Sequence, residues 1–230
     1  MVRFLIAVSG YNCARYVKAC LDSIKAQTYQ NYAVSIFDDC SIDGTRDAII
    51  ANRKIEWLCG THTNNIGSAY ARDLAIKNCT EPYDVIIFLD LDDRLMPNAL
   101  EVITKAYEDP NVWLTYGNFI YNDGRTFFDA SNINFTDQPF REQPWKFIPL
   151  RTFRRELYET LRVPDKFFPG ATAYPDMHCL FSLLEKAKGH IKAIPEVIYF
   201  YNQNNPICVT YRFSQEQRDA EEKMIREWSQ

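Results

Sequence analysis

Short apolar runs alternate with amphipathic stretches through the first hundred residues of this 230-residue chain. That alternation is the sign of strands joined by crossover helices in a largely parallel sheet. Phe4 to Val8 reads as the first strand. Residues 14 to 25 then set Val17, Cys20, Leu21 and Ile24 at the i, i+3, i+4, i+7 spacing of one helix face. Ala33 to Phe37 reads as the second strand, Asp43-Gly44-Thr45 as a turn into a helix over 46 to 51, and Ile55 to Cys59 as the third strand. A loop with Asn64-Asn65-Ile66-Gly67 leads into a helix over 68 to 78. Val85 to Leu89 is apolar throughout, as a central strand buried on both faces requires. A helix over 98 to 107 behind Pro97 and a strand over 112 to 118 follow.

From about residue 120 the period dissolves, and Phe, Asn, Asp, Pro and Trp dominate to residue 150, which reads as a substrate-facing insert. Helices are expected at 151 to 161 and 176 to 188, a strand pair around 191 to 201, and a polar helix over 214 to 229. The stripe Ala220, Met224, Ile225 and Trp228 on that last helix could dock on the body or on another subunit.

Composition narrows the class. Hydrophobic residues at 47% and charged ones at 24% fit a globular domain, and 230 residues fit one core. A net charge of -4 gives no general attraction for phosphate backbones, so nucleic acid is not an expected partner. Seven cysteines, with no C-x-x-C pair, read as reduced and mostly buried thiols. No run of about 18 apolar residues exists to span a bilayer, and Phe4 to Val8 is too short for a signal-peptide core. The chain therefore reads as cytoplasmic, with a homodimer or a longer multidomain parent left open.

In open α/β sheets, ligands bind outside the carboxyl ends of the strands. Here those ends deliver Ser9, Tyr11 and Asn12, then Asp38 and Asp39, then Asn64 and Asn65, then Asp90, Asp92 and Asp93. Such a crevice offers carboxylates to a base or ribose, a ring to pack on a ring, and concentrated negative charge. Three carboxylates in four residues repel one another unless solvent, a helix N-terminus or a cation relieves the field. Oxygen ligands with no Cys or His nearby favour Mg²⁺ or Mn²⁺ over zinc. The plainer alternative is that Asp92 or Asp93 caps the helix behind Pro97. The eight glycines form neither G-x-G-x-x-G nor a P-loop, which leaves phosphate to be held by metal.

Several segments together resemble glycosyltransferase family 2. They are Val8-Ser9-Gly10-Tyr11-Asn12, Leu21 to Tyr29, Phe37 to Thr45, Asn65-Ile66-Gly67 with Ala71-Arg72, Phe88 to Asp93 followed by Pro97, and Ile194 to Tyr199 with Tyr201-Asn202. The resemblance covers about residues 4 to 205 and implies a single-domain GT-A (Rossmann-like) α/β fold with a mostly parallel sheet flanked by helices. Residues 1–118 would form the nucleotide-sugar-binding half, 119–213 the acceptor-binding half, and 214–230 a C-terminal helix.

What the resemblance implies is a metal-dependent inverting transfer of a hexose from a UDP-sugar to a hydroxyl of a glycan or other acceptor, with Mn²⁺ or Mg²⁺ as cofactor. Tyr11 resembles the ring that packs on the base, and Asp39 the carboxylate that accepts from the uracil N–H. Asp90 and Asp92 look like the Asp-x-Asp metal pair, and Arg72 like the arginine beside the donor. Ser9, Asn12, Asn65, Gly67 and Leu91 complete the donor-binding set. Asp176 matches the acidic general base, although Pro175 stands where the family often has a second acid; a plain N-cap is the alternative for Asp176. His178 reads as a helix-face residue before a metal ligand. Trp113, Trp145, Phe127, Phe128 and Tyr158 could stack on sugar faces, with a place in the core as the default, and Arg151, Arg154 and Arg155 form a basic cluster that could meet an acidic acceptor or a membrane phosphate, with a solvated helix face as the default. A metal-dependent nucleotidyltransferase and a non-catalytic nucleotide-sugar-binding domain are the competing classes.

Overall fold

The computed structural model describes residues 1–127, 139–145, 147–162, 166–167, 173–174, 176–207 and 209–228. The strands are β1 (Phe4–Gly10), β2 (Tyr32–Asp38), β3 (Leu58–Thr61), β4 (Val85–Asp90), β5 (Arg94–Leu95), β6 (Leu114–Tyr121), β7 (Thr126–Phe127), β8 (Thr152–Arg154) and β9 (Ile191–Tyr201). The helices are α1 (Ala14–Lys25), α2 (Thr45–Asn52), α3 (Ser68–Asn78), α4 (Ala99–Tyr107), α5 (Arg155–Glu159), α6 (Met177–Ala187), α7 (Val209–Arg212) and α8 (Gln215–Glu227).

Among the described residues the strands form one sheet in the order β3-β2-β1-β4-β8-β6-β9-β5, with β7 paired to β6. The pairs β1/β2, β1/β4 and β2/β3 are parallel, as the crossover pattern of the first hundred residues predicts, and so is β6/β9. Period-two alternation sends β1 side chains to both faces. Phe4, Ile6 and Val8 join one core with α1 and α4, while Leu5 and Ala7 join a second with α3 and α6. Val85 to Leu89 divides in the same way, which is why that strand is apolar throughout. Each fully buried Leu, Ile or Phe stabilises by about 1.5–3 kcal/mol. On α1 the buried residues are Val17, Cys20, Leu21 and Ile24, the stripe its spacing predicts.

Four expectations are corrected. β3 starts three residues later than predicted: Ile55 is 89% exposed, and the pairing runs from Ser35↔Leu58 to Asp38↔Thr61. The expected helix over 151 to 161 divides into β8 and the short α5. β8 runs antiparallel between β4 and β6, and Thr152 Oγ1 is hydrogen-bonded to the Tyr107 hydroxyl at 2.9 Å and to Thr115 Oγ1 at 2.6 Å. Residues 191 to 201 form one long strand instead of a pair, with register shifts against β6 around Asn118, whose Nδ2 donates to Pro195 O at 2.8 Å. Of the proposed stripe on α8, only Ile225 is buried; Ala220 is exposed, and so are Met224 and Trp228. The helix docks on the body, capped at its start by the reciprocal Ser214–Gln217 pair.

Among the described residues, no helix is long and apolar enough to cross a membrane. Cys13, Cys20 and Cys179 are buried thiols, Cys40 and Cys79 are half-buried and Cys59 is exposed, all unpaired; Cys208 lies outside the described residues.

Candidate active site

Because β1, β2 and β4 are parallel neighbours, their carboxyl ends lie side by side, with Gly10↔Asp38 and Ser9↔Asp90 in register. This brings together Ser9 to Asn12, Asp38 and Asp39, and Asp90 to Asp93. Gly10 permits the approach of β4's end: a Cβ there would lie 2.6 Å from Leu91 Cβ. Two residues just past strand ends, Asn12 (φ 52°) and Cys40 (φ 63°), take the left-handed conformation uncommon for non-glycines. Contacts around Asn12 hold it there. Its N–H donates to Ser41 Oγ at 2.8 Å, and its Oδ1 accepts the Ile42 N–H at 3.0 Å. Ser41 in turn donates to Asp38 Oδ1 at 2.5 Å.

Asp39 is buried and fastens the next loop. Its two carboxylate oxygens accept the Ile66 and Gly67 N–H groups, each at 2.8 Å, and Asn65 Nδ2 donates to its main-chain carbonyl at 3.1 Å. Gly67 can meet Asp39 at φ +87° because it lacks a Cβ. Burial raises the Asp39 pKa above the ordinary carboxylate value, and the two N–H bonds work against that rise. Asn12, Asn65 and Gly67 thus act on loop geometry. Ser9 is buried, and among the described residues its Oγ has no hydrogen-bond partner; Tyr11 is half-buried at the mouth of the same strand end.

The three aspartates at the end of β4 and just past it take different places. Asp93 is buried, accepting the Tyr199 hydroxyl at 2.5 Å and the Asn202 N–H at 2.7 Å, and so ties β4's end to β9's. Asp92 accepts from Asn205 Nδ2 at 2.8 Å, and its pKa is pushed up to about 6 by burial and then by the charge of Asp90. Asp90 keeps 38% of its side chain exposed and accepts from Arg72 Nη2 at 2.5 Å. Leu91 corrects the expectation of a donor contact: its side chain is fully buried in the core against Gly10.

Arg72 joins the two halves of the site. Buried and lying over the Phe88 ring, it meets Asp90 through Nη2 and Asp176 Oδ2 through Nη1 at 2.9 Å. Arg151 Nη1 reaches the same Asp176 oxygen at 3.1 Å, while its Nε donates to Phe147 O at 2.8 Å. Asp176 occupies the N-cap position of α6 but makes no side-chain capping bond, so the plain-cap alternative does not describe it. Burial would raise its pKa, but the guanidinium groups of Arg72 and then Arg151 overcome this and hold it below the ordinary value.

Sequence reasoning missed Arg151, read as part of a solvated face, and Asn205. The three arginines separate in the fold: Arg154 Nε donates to Val112 O at 2.8 Å, and Arg155 pairs with Glu159 at 2.6 Å. His178 is buried on α6 with its ring near Trp228. Tyr158 is a core residue bonded to Asp73 Oδ1 at 2.8 Å, and Trp113 stacks on His190. Trp145 packs on Phe147 and Phe181 and lies beneath the Arg151 guanidinium, 5.9 Å from its centre. Phe128, Pro175 and the Phe127 side chain lie outside the described residues.

Among the described residues no three His, Cys, Asp or Glu side chains converge as a ready-made metal cage. What the site offers is two neighbouring carboxylates, Asp90 and Asp92, with the Asp92 pKa pushed up to about 6 by burial and the charge of Asp90. That donor set fits Mg²⁺ or Mn²⁺, hard cations commonly bound by one or two carboxylates with substrate phosphate and water completing the shell.

A curled, mostly parallel sheet flanked by helices, with carboxylates at the ends of its second and fourth strands, defines a GT-A-type α/β domain. The chain belongs to glycosyltransferase family 2: residues 5–174 match the sequence profile of Glycosyl transferase family 2. A curated relative is the UDP-Glc:alpha-D-GlcNAc-diphosphoundecaprenol beta-1,3-glucosyltransferase WfaP of Escherichia coli, 32% identical over 114 residues, or 50% of this chain and 45% of that protein. Among solved structures, S. aureus TarS 1-349 in complex with UDP-GlcNAc superposes with a TM-score of 0.77 at 17% identity, over 97% of this chain and 65% of that one. Glucosyl-3-phosphoglycerate synthase from Mycobacterium tuberculosis, in complex with Mn²⁺ and UDP-glucose, gives 0.60 at 14% identity, over 97% of this chain and 76% of that one. At such identities these structures establish the fold. The matches to WfaP and to the Haemophilus influenzae relative span less than half of those proteins' own lengths.

Proposed function

We propose that this domain transfers a sugar from a UDP-sugar to a hydroxyl of a glycan or other acceptor, with inversion at the anomeric carbon. The observation that carries the reading is the single buried guanidinium of Arg72, which holds donor-side Asp90 at 2.5 Å and acceptor-side Asp176 at 2.9 Å. A base for the incoming hydroxyl is thereby fixed next to the carboxylates that face a nucleotide diphosphate. The relatives bound to UDP-sugars support the donor class.

Asp176, kept ionised by its two arginines, accepts the proton of the acceptor hydroxyl. The oxygen then bonds to the anomeric carbon as the bond to the diphosphate breaks on the opposite face, and UDP leaves. Asp90 and Asp92 would hold Mn²⁺ or Mg²⁺, which supplies positive charge against the diphosphate when bound. Tyr11 offers its ring to the base, and Asp39, already oriented by two N–H groups, keeps lone pairs for the uracil N–H.

Asp176→Asn tests this directly, because it keeps the shape and removes the basicity. Turnover of UDP-glucose in Mn²⁺, read as UDP release, is expected to fall by roughly 10² to 10⁴ with UDP affinity retained. Wild-type turnover, or a transfer product that retains the donor's anomeric configuration by NMR, refutes the assignment.

A further inference from the structure

The C-terminal helix α8 is mounted firmly on the segments around α6. Arg141 Nη1 donates to Ile225 O at 2.7 Å and its Nε pairs with Glu185 Oε1 at 2.6 Å. Arg226 answers from the helix, its Nη1 donating to Arg141 O at 2.6 Å and Gln143 O at 2.8 Å. Both guanidinium groups lie 5.2 Å from the centre of the Phe181 ring on α6. From this mount Glu221 reaches the segment that carries Asp176. Its Oε2 accepts the Ala173 N–H at 3.0 Å and its Oε1 accepts the Tyr174 N–H at 2.6 Å. The Tyr174 carbonyl then accepts the N–H of Met177, the first residue of α6, at 3.1 Å. Asp176 lies inside that bracket, its main chain held through Glu221 and its carboxylate through Arg72 and Arg151.

We propose that Glu221 is a positioning residue for Asp176, so that α8 acts in transfer from outside the crevice. Bonds to a charged carboxylate are about twice as strong as neutral ones, and two from one side chain fix direction as well as distance. An error of about 1 Å at a reacting group can cost on the order of a hundredfold in rate. The inference rests on the reading of Asp176 as the base.

The test measures UDP release from UDP-glucose in Mn²⁺ for Glu221→Ala, Glu221→Gln, Asp176→Asn and the Glu221→Ala/Asp176→Asn double variant. Glu221→Ala is expected to lower kcat about tenfold or more with KM for UDP-glucose unchanged. Glu221→Gln keeps one acceptor oxygen and should recover part of that rate, and it carries the test if the alanine variant does not fold. Because Glu221 acts through Asp176, its loss should cost nothing further once Asp176 is Asn, the non-additivity expected of coupled residues. A Glu221→Ala enzyme at the wild-type rate, or an equal fractional loss in both backgrounds, overturns the proposal. Wild-type turnover by Asp176→Asn is a separate outcome: it removes the base assignment itself, and this inference with it.

Discussion

The proposed donor and acceptor sides of this site are built in opposite ways. On the donor side the functional residues are the last residues of strands or their immediate successors, and the sheet sets their spacing. Ser9, Asp38 and Asp90 are placed by the β1/β2 and β1/β4 registers, and the nearby side chains mainly fasten loops, as Asn12 and Asp39 do. On the acceptor side no strand end carries Asp176. Its position comes from Arg72 on α3, Arg151 before β8 and Glu221 on α8, the last meeting Tyr174 across 47 residues of sequence. A sheet-end site is thus robust to single side-chain changes outside it, whereas a site assembled from charges on separate elements depends on each of them.

The sharpest way to break this comparison is Leu91→Ala. If Leu91 is a core residue of the donor half and not a donor contact, its truncation should cost about 2–5 kcal/mol of stability by denaturant titration. UDP affinity measured well below the melting temperature should stay within about threefold. A large loss of UDP affinity with unchanged stability would return Leu91 to the binding surface.

Next in size, Asp92→Ala should reduce UDP affinity in Mn²⁺ to the value measured with chelator. The loss is roughly a hundredfold, since a direct ligand should count for at least as much as outer-shell partners worth 10–100-fold. Titration calorimetry showing equal affinities for wild type with and without the cation would remove the metal from the donor side.

Smaller, and confined to the acceptor side, is Arg151→Gln. Arg151 is one of two cations that lower the Asp176 pKa, so its loss moves that pKa upward. The basic form is then lost sooner as pH falls, and the acid limb of kcat/KM should shift to higher pH, with UDP affinity unchanged. The rate below that limb should drop while the rate on the plateau above it is retained. An acid limb that does not move would show that Arg151 does not set the charge of Asp176.

The smallest expected effect is Met224→Ala on α8. Met224 is 57% exposed, and its truncation should change stability by less than about 0.5 kcal/mol, unlike that of its buried neighbour Ile225. A larger effect in chemical denaturation would mean that the exposed face of α8 is covered in solution.

Local pattern accounts for what was legible from residues alone. Phe4 to Val8 and Val85 to Leu89 announce themselves as strands because burial on both faces demands unbroken apolar runs, and the α1 stripe because one helix face repeats at 3.6 residues. The donor-side aspartates follow from those strands, since a residue just past a parallel strand must emerge at its carboxyl end. β8 could not be read this way: three residues, Thr152 to Arg154, carry no period, and what makes them a strand is the gap between β4 and β6 that their backbone groups fill. Nor could spacing show that Arg151 and Glu221 serve Asp176 while Arg154 and Arg155 do not. Those assignments arise from contacts between residues far apart in sequence, which exist only once packing has brought their elements together.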